Sequence, residues 1–258
     1  MLKVIVSGAA GKMGQAVLKA VDEDSDLSLL GAIDKQNIGV DCSEIAGINS
    51  DLKIVDSIEA VNVKADVLVD FTHPNSVEEN VLDALGAGLH VVVGTTGLNE
   101  NQLKTIEEKA KAIEKNVFIA PNFAIGAVLM MELSKKAAKH MANVEIIELH
   151  HDQKADAPSG TAEKTAAELT ASSATVEGER ENLKGSRGGV KNNIRIHSVR
   201  LPGLVAHQEV IFGAKGQTLT IRHDTTDRTS FMPGVLAAIK KVPELSGLTY
   251  GLENILEI

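Results

Sequence analysis

The chain has 258 residues, 43% hydrophobic and 2% aromatic, with 26 Lys/Arg against 35 Asp/Glu and a formal charge of −9. That acidity excludes a general nucleic-acid binder, which needs a basic face to neutralise phosphates. A single cysteine, Cys42, excludes an intramolecular disulfide and a cysteine-built zinc site, and no apolar run approaches the roughly 20 residues of a membrane helix.

The first six residues already read as a strand, so no signal peptide is expected. Leu2–Ser7 is a β-branched run, and Gly11–Val21 follows as a helix with Met13, Ala16, Val17 and Ala20 on its apolar stripe. Leu27–Ile33, Leu52–Val55 and Val67–Phe71 are further strands, the last running into Asp70-Phe71-Thr72-His73-Pro74. Ser76–Ala87 is a helix closed by Gly88, Leu89–Val93 a strand, Asn99–Lys115 a helix and Val117–Ala120 a strand. Short, wholly apolar strands separated by helices predict a parallel sheet covered on both faces. After Pro121 the pattern changes. Ile125–His140 and Thr161–Ala171 are helices, Val144–His151 a strand, and the polar, Gly-rich stretch 178–189 a mobile loop. Ile194–Leu201, Val205–Phe212 and Thr218–Asp224 are three more strands in a mixed or antiparallel sheet. Met232, Val235, Leu236, Ile239 and Val242 have helical spacing, and a short tail ends the chain.

The fold class predicted is α/β: a Rossmann-type parallel sheet domain with an inserted α+β domain built on a mixed or antiparallel sheet. The boundaries expected are 1–121 plus 229–258 for the dinucleotide-binding domain and 122–228 for a substrate-binding and oligomerisation domain. Charge divides along the same line: residues 122–228 hold 14 Lys/Arg and 13 Asp/Glu, whereas the rest hold 12 and 22. Six of the eight His also fall in the middle segment, which suits an anionic substrate.

Gly8-Ala9-Ala10-Gly11-Lys12-Met13-Gly14 sits between a strand and a helix. Glycines there permit a tight turn and close approach to a pyrophosphate, and the helix N-terminus favours the anion. Asp34 closes the second strand, positioned to bond ribose hydroxyls, and the adjoining Lys35 can pair with a 2′-phosphate, so weak discrimination between NADH and NADPH is expected. Gly94-Thr95-Thr96-Gly97 and Ala120-Pro121-Asn122-Phe123 follow later strands, on the edge where such sheets bind ligands.

The segment Glu148-Leu149-His150-His151-Asp152-Gln153-Lys154-Ala155-Asp156-Ala157-Pro158-Ser159-Gly160-Thr161-Ala162 carries the most chemistry. His150 and Lys154 are proton-donating or positive groups four residues apart, suited to an anion or a developing negative charge. Pro158 to Thr161 reads as a helix start, with Ser159 or Thr161 as cap and free N–H groups for a carboxylate. His150 and His151 point to opposite faces of a strand and have no third ligand nearby, so no metal is expected. Cys42 reads as an ordinary loop or core thiol, which disfavours thioester chemistry.

These motifs closely resemble the 4-hydroxy-tetrahydrodipicolinate reductase (dihydrodipicolinate reductase) family, over nearly the whole chain. Glu148–Ala162 carries the resemblance most specifically. His197–Arg200, His207–Glu209, Arg222–Asp224 and Gly251–Leu256 match as well. The resemblance implies a cytoplasmic NADH- or NADPH-dependent reductase of the diaminopimelate and lysine pathway, acting on a small dicarboxylate and assembled as a homotetramer. It implies that the C-terminal segment completes the Rossmann domain, with hinges near Asn122 and Arg228 to Ser230. By this resemblance His150 is the proton-donating His and Lys154 the active-site Lys. His151, Gly160 and Thr161 contact substrate carboxylates. Gly8, Ala9, Ala10, Gly11, Lys12, Met13, Asp34, Lys35, Gly94, Thr95, Thr96, Ala120, Pro121, Asn122 and Phe123 contact the cofactor. Two rival readings are another two-domain NAD(P)-dependent dehydrogenase of aspartate-family metabolism and a non-catalytic dinucleotide-sensing module. Both leave the cluster around His150 and Lys154 unexplained.

Overall fold

Val4, Ile5 and Val6 are almost wholly buried, and their β-branched run forms β1 (Leu2–Ser7), an interior strand of a seven-stranded sheet. The protein is described from a computed structural model covering residues 1–175, 177–256 and 258. Contacts divide it into two units, Met1–Ala124 with Phe231–Glu257, and Ile125–Ser230 with Ile258.

In the first unit β1 is followed by α1 (Lys12–Glu23), β2 (Leu27–Ile33), α2 (Cys42–Ala46), β3 (Ile54–Val55), α3 (Ile58–Val61), β4 (Val67–Asp70), α4 (Val77–Gly86), β5 (His90–Val93), α5 (Glu100–Ala112) and β6 (Val117–Ile119). The second unit supplies α6 (Ile125–Ala138), β7 (Asn143–His150), α7 (Gly160–Glu168), β8 (Gly189–Lys191), β9 (Ile194–Arg200), β10 (Ala206–Ala214) and β11 (Gln217–Thr225). The chain returns to the first unit with α8 (Met232–Lys241) and β12 (Leu248–Tyr250).

The first sheet runs β12-β6-β5-β4-β1-β2-β3, and every pairing in it is parallel. This is a Rossmann-type sheet. Its core joins Leu68, Val91, Val93 and Val117 of the strands to Val81, Leu85 and Ile106 of α4 and α5. Asn99 and Gln102 close a capping box at the start of α5. The second sheet runs β11-β10-β7-β9-β8 and is mixed: β7 pairs parallel with β9 and antiparallel with β10. Met130, Met131, Ala162 and Ala166 of α6 and α7 pack on one face of it, against Val144, Ile146, Ile196, Val210 and Phe212. Among the described residues no helix is long and apolar enough to cross a membrane.

Several expectations need correction. The buried stripe of α1 is Gly14, Val17, Leu18 and Val21, whereas Met13, Ala16 and Ala20 are only half-buried. A glycine at 14 lets the helix roll down onto the turn after β1, which turns Leu18 inward. The strand expected over Leu52–Val55 shrinks to Ile54–Val55, because Leu52 turns its carbonyl to the Cys42 amide at the start of α2. The short tail contains β12, which pairs with β6 and extends the sheet. Three residues are too few for a periodic signal. β8 is wholly exposed, so it has no burial pattern to read. The polar stretch 178–189 carries its own ion pairs and hydrogen bonds: Arg187 pairs with Glu145 and Glu179, Arg195 pairs with Glu179, and Glu181 accepts the Gly185 and Arg187 amides. Cys42 is buried in α2, where burial first and Asp41 second push its thiol up.

Candidate functional site

Two constellations carry chemistry, one in each unit. In the first, the turn after β1 is held by backbone contacts. The Gly8 and Ala9 amides donate to the Ile33 carbonyl at 2.9 and 3.1 Å, and the Gly11 amide donates to the Gly8 carbonyl at 3.1 Å. Gly8 has φ +81°, and a Cβ there would lie 2.2 Å from the Phe71 carbonyl oxygen. No side chain caps α1, so the N–H groups of its first turn remain for an anion, with the positive end of the helix dipole behind them. Asp34 closes this cradle. One oxygen accepts the Ala10 amide at 2.9 Å and the other accepts the Gln36 amide at 2.8 Å. The sequence offers Asp34 for a ribose; the structure adds that it also fixes the glycine turn. Lys35 donates to the Asp56 carbonyl at 2.9 Å.

Beside this turn lies a cleft of about 370 Å³. Of the expected cofactor residues, Gly8, Ala10, Gly11, Asp34 and Lys35 line it. Ala9 is buried under the turn. Lys12, Met13, Gly94, Thr95, Thr96 and the stretch from Ala120 to Phe123 lie outside its lining. Phe71, Thr72, His73, Ser76 and Asn80 line it too and were not singled out as site residues. The signal was present in Asp70-Phe71-Thr72-His73-Pro74, polar residues at the carboxyl end of an apolar strand. Asp70 organises them. It is fully buried and accepts hydrogen bonds from Thr95, Thr72 and Asn80 at 2.6 to 3.0 Å. Burial raises its carboxyl above the usual range, against those hydrogen bonds.

The Thr95 hydroxyl also accepts the Thr72 amide at 2.7 Å. The Thr95 side chain therefore joins the ends of β4 and β5. A Cβ on Gly94 would sit 2.1 Å from the Phe71 ring, so any larger residue would have to displace that ring. At the end of β6, Phe123 is buried and stacks near Phe71 and Phe118, with centroids 5.8 and 6.1 Å away. Asn122 accepts the Ala124 amide at 2.9 Å.

In the second unit β7 ends in the charged segment. His150 is half-buried, and its Nδ1 lies 2.5 Å from Glu148 Oε2. Burial pushes the imidazole down from its ordinary value; Glu148 opposes this, and Lys154 and Arg200 add to it. Lys154 Nζ donates to both carboxylate oxygens of Asp156, at 2.7 and 2.8 Å. His151 is exposed. Helix α7 begins at Gly160, and Ser159 is its cap, accepting the Ala162 amide at 3.2 Å. Such a cap contributes about 1 kcal/mol. It leaves the Gly160 and Thr161 amides at the open end of the helix, a ready carboxylate site. His150, Lys154, Gly160 and Thr161 fall in one short stretch of chain, and Lys154 is near enough to act on the His150 imidazole. Sequence reading passed over Glu148 and Arg200 as partners of His150. The available signal was a charged residue at 148, where the alternation of Val144 and Ile146 calls for an apolar one.

Comparison with known proteins points one way. The family model described as dihydrodipicolinate reductase, N-terminus, matches residues 2–123, and the one described as dihydrodipicolinate reductase, C-terminus, matches residues 126–256. The 4-hydroxy-tetrahydrodipicolinate reductase of Gloeothece citriformis is 51% identical over 270 residues, spanning 99% of this chain and 98% of the relative. That of Syntrophomonas wolfei is 51% identical over 261 residues, spanning 98% of each. A solved structure, dipicolinate-bound dihydrodipicolinate reductase from Paenisporosarcina sp. TG-14, superposes with a TM-score of 0.90 at 42% identity, covering 99% of this chain and 100% of that one. An amine dehydrogenase from Mycobacterium smegmatis, at 13% identity and a TM-score of 0.65 over 96% of this chain and 94% of that one, shares the fold alone.

Proposed function

The chain belongs to the dihydrodipicolinate reductase family, and from that premise we propose how its residues carry out the NADH- or NADPH-dependent reduction of 4-hydroxy-tetrahydrodipicolinate to tetrahydrodipicolinate, in lysine and diaminopimelate biosynthesis. What supports the residue assignment is the segment from His150 to Thr161, which carries a proton donor, an ammonium group and an open helix N-terminus.

The residues of the first unit fit a dinucleotide. The first turn of α1 and the glycine turn would hold the pyrophosphate, Asp34 would take a ribose, and the ends of β5 and β6, from Gly94 to Thr96 and Ala120 to Phe123, would flank the nicotinamide. When bound, the reduced nicotinamide supplies a hydride. In the second unit one substrate carboxylate sits on the Gly160 and Thr161 amides, and Lys154 and His151 balance the remaining charge. The substrate loses its 4-hydroxyl as water, C4 receives the hydride, and His150 Nε2 or Lys154 Nζ delivers the proton. The cytoplasm, with its reducing poise, suits a chain whose one cysteine is a buried free thiol.

The face of the second sheet turned away from α6 and α7 presents Ile147, Leu149, Val199 and Ile211 between the ion pairs of Glu145 and Glu209. A second copy fits this face, and the assembly expected is a homotetramer. Light scattering on the eluting protein should give four times the 27.3 kDa chain mass; a monomer would refute it.

The activity is tested by generating the substrate in place from pyruvate and aspartate semialdehyde with the preceding synthase, and following oxidation of NADH and NADPH separately. Oxidation that requires both precursors is the expected result. No oxidation by folded protein that still binds a dinucleotide would refute the reading and favour the sensing module. The same assay reads Asp34. Its carboxylate favours a ribose hydroxyl and repels a 2′-phosphate, so Asp34→Ala should lower kcat/KM for NADH more than for NADPH. An unchanged ratio would remove Asp34 from ribose recognition.

A further inference from the structure

Val144, Ile146 and Glu148 alternate onto the helix-covered face of β7, and all three are buried. Glu148 is fully buried. Arg200 of β9 donates to its Oε2 at 2.9 Å and to its Oε1 at 2.8 Å. His150, two residues on and on the same face of the strand, meets Oε2 through Nδ1. The same guanidinium donates to the Asp156 carbonyl at 2.7 Å, and the Asp156 carboxylate holds Lys154. One buried ion pair therefore touches His150 directly and reaches Lys154 through Asp156.

Stability alone does not account for this pair. Well-packed apolar side chains in place of a buried ion pair are often neutral or stabilising. Tautomer selection does account for it. Burial raises the Glu148 carboxyl, but hydrogen bonds from Arg200, Ser198 and His150 outweigh that and hold it below the usual carboxylate range. An ionised carboxylate only accepts, so Nδ1 of His150 must carry a hydrogen, and Nε2 is the nitrogen left to exchange a proton.

We propose that Glu148, clamped by Arg200, is a positioning residue: it accepts the His150 Nδ1 hydrogen, turns Nε2 outward as the proton-handling atom, and through Arg200 fixes the Asp156 backbone beside Lys154. This rests on the reading of His150 as a proton-handling group, and the experiment separates the two. The charged groups facing His150 are Glu148 on its own strand, Arg200 across the sheet and Lys154 on the following loop.

Glu148→Gln, His150→Gln and the double variant are compared by the pH dependence of kcat, by KM for NADH and by thermal melting. Glu148→Gln should lower kcat roughly 10–100-fold, as when an imidazole loses the group that orients it, with KM for NADH nearly unchanged. The ionisation that His150→Gln abolishes should move to lower pH by about 1 unit, because an opposite charge that stabilised the imidazolium is gone. In the His150→Gln background the second change should cost no more than about twofold, since both act through one ring. Glu148→Asp should restore part of the activity. Should Glu148→Gln fail to fold, Arg200→Lys carries the same test, as it keeps the charge but loses the fork that clamps the carboxylate. Losses that multiply in the double variant, or an unmoved pH profile, would overturn the proposal while the reading of His150 stands. Full kcat in His150→Gln would overturn that reading and this proposal with it.

Discussion

Lys154→Ala and His150→Gln should each lower kcat by about 10²–10⁴-fold, the span that a positioned proton donor supplies, while the dissociation constant for NADH stays within about threefold of the parent. The two halves of this expectation come from different places in the fold. Lys154 and His150 belong to the second unit, whereas the glycine turn, Asp34 and the cleft belong to the first. Neither change touches a residue that shapes the nucleotide cradle.

Unfolding does not mimic the result. Lys154 pairs with Asp156, whose side chain is 61% exposed, so water replaces the lost ammonium. Exposed pairs contribute about 0–1 kcal/mol, too little to explain a hundredfold loss of turnover, which corresponds to about 2.7 kcal/mol in the barrier. Glutamine at 150 keeps an amide N–H to offer the buried Glu148, so that carboxylate is not stranded. Steady-state kinetics with the coupled assay and fluorescence titration of NADH measure the two quantities on the same preparations. Lys154→Ala should also raise KM for the substrate, because an ammonium beside a dicarboxylate contributes to binding as well as to turnover. Equal loss of NADH affinity and kcat would mean that the cluster is misassigned.

Legibility in the sequence followed burial. β1, β4 and β5 are apolar on both faces, so their composition alone marks them, and the glycine turn with Asp34 is a spacing that survives in one dimension. The elements that escaped are those without a pattern to detect. α2 has five residues, α3 four and β12 three, and β8 is exposed throughout. The site divides the same way. His150, Lys154, Gly160 and Thr161 are close in sequence, so one segment announces them. Glu148 and Arg200 are 52 residues apart and meet only because β7 and β9 pair in register. Thr72 and Thr95 meet over Asp70 because β4 and β5 do. Cross-strand partners depend on register, and register is set by the whole sheet.

Gly14→Ala should weaken NADH binding by at least about 100-fold and destabilise the fold by roughly 1–3 kcal/mol, the cost of forcing one extra carbon into a packed site. A Cβ on residue 14 would lie 2.0 Å from the Gly8 carbonyl oxygen, 2.7 Å from its carbonyl carbon and 2.8 Å from the Ala9 Cα. All three are backbone atoms, so no side chain can swing aside. Gly8 cannot yield either, since its amide is bonded to Ile33 and the Phe71 carbonyl lies where its own Cβ would be. Helix α1 rests on Gly8, and Gly8 rests on the end of β4. The new methyl group must therefore lift the N-terminus of α1 away from the sheet. Those first amides are the proposed pyrophosphate site, and a displacement of about 1 Å at a positioning group can cost about 10²-fold. Gly86→Ala is the matched control. Residue 86 ends α4 with nothing within 4 Å of its Cβ position and no positive φ, so alanine there should stabilise by roughly 0.5–1 kcal/mol. Thermal melts with and without NADH read both variants. A Gly14→Ala protein that binds NADH like the parent would mean that α1 does not hold the pyrophosphate, and the nucleotide would have to be anchored from Asp34 and the Thr72 side of the cleft instead.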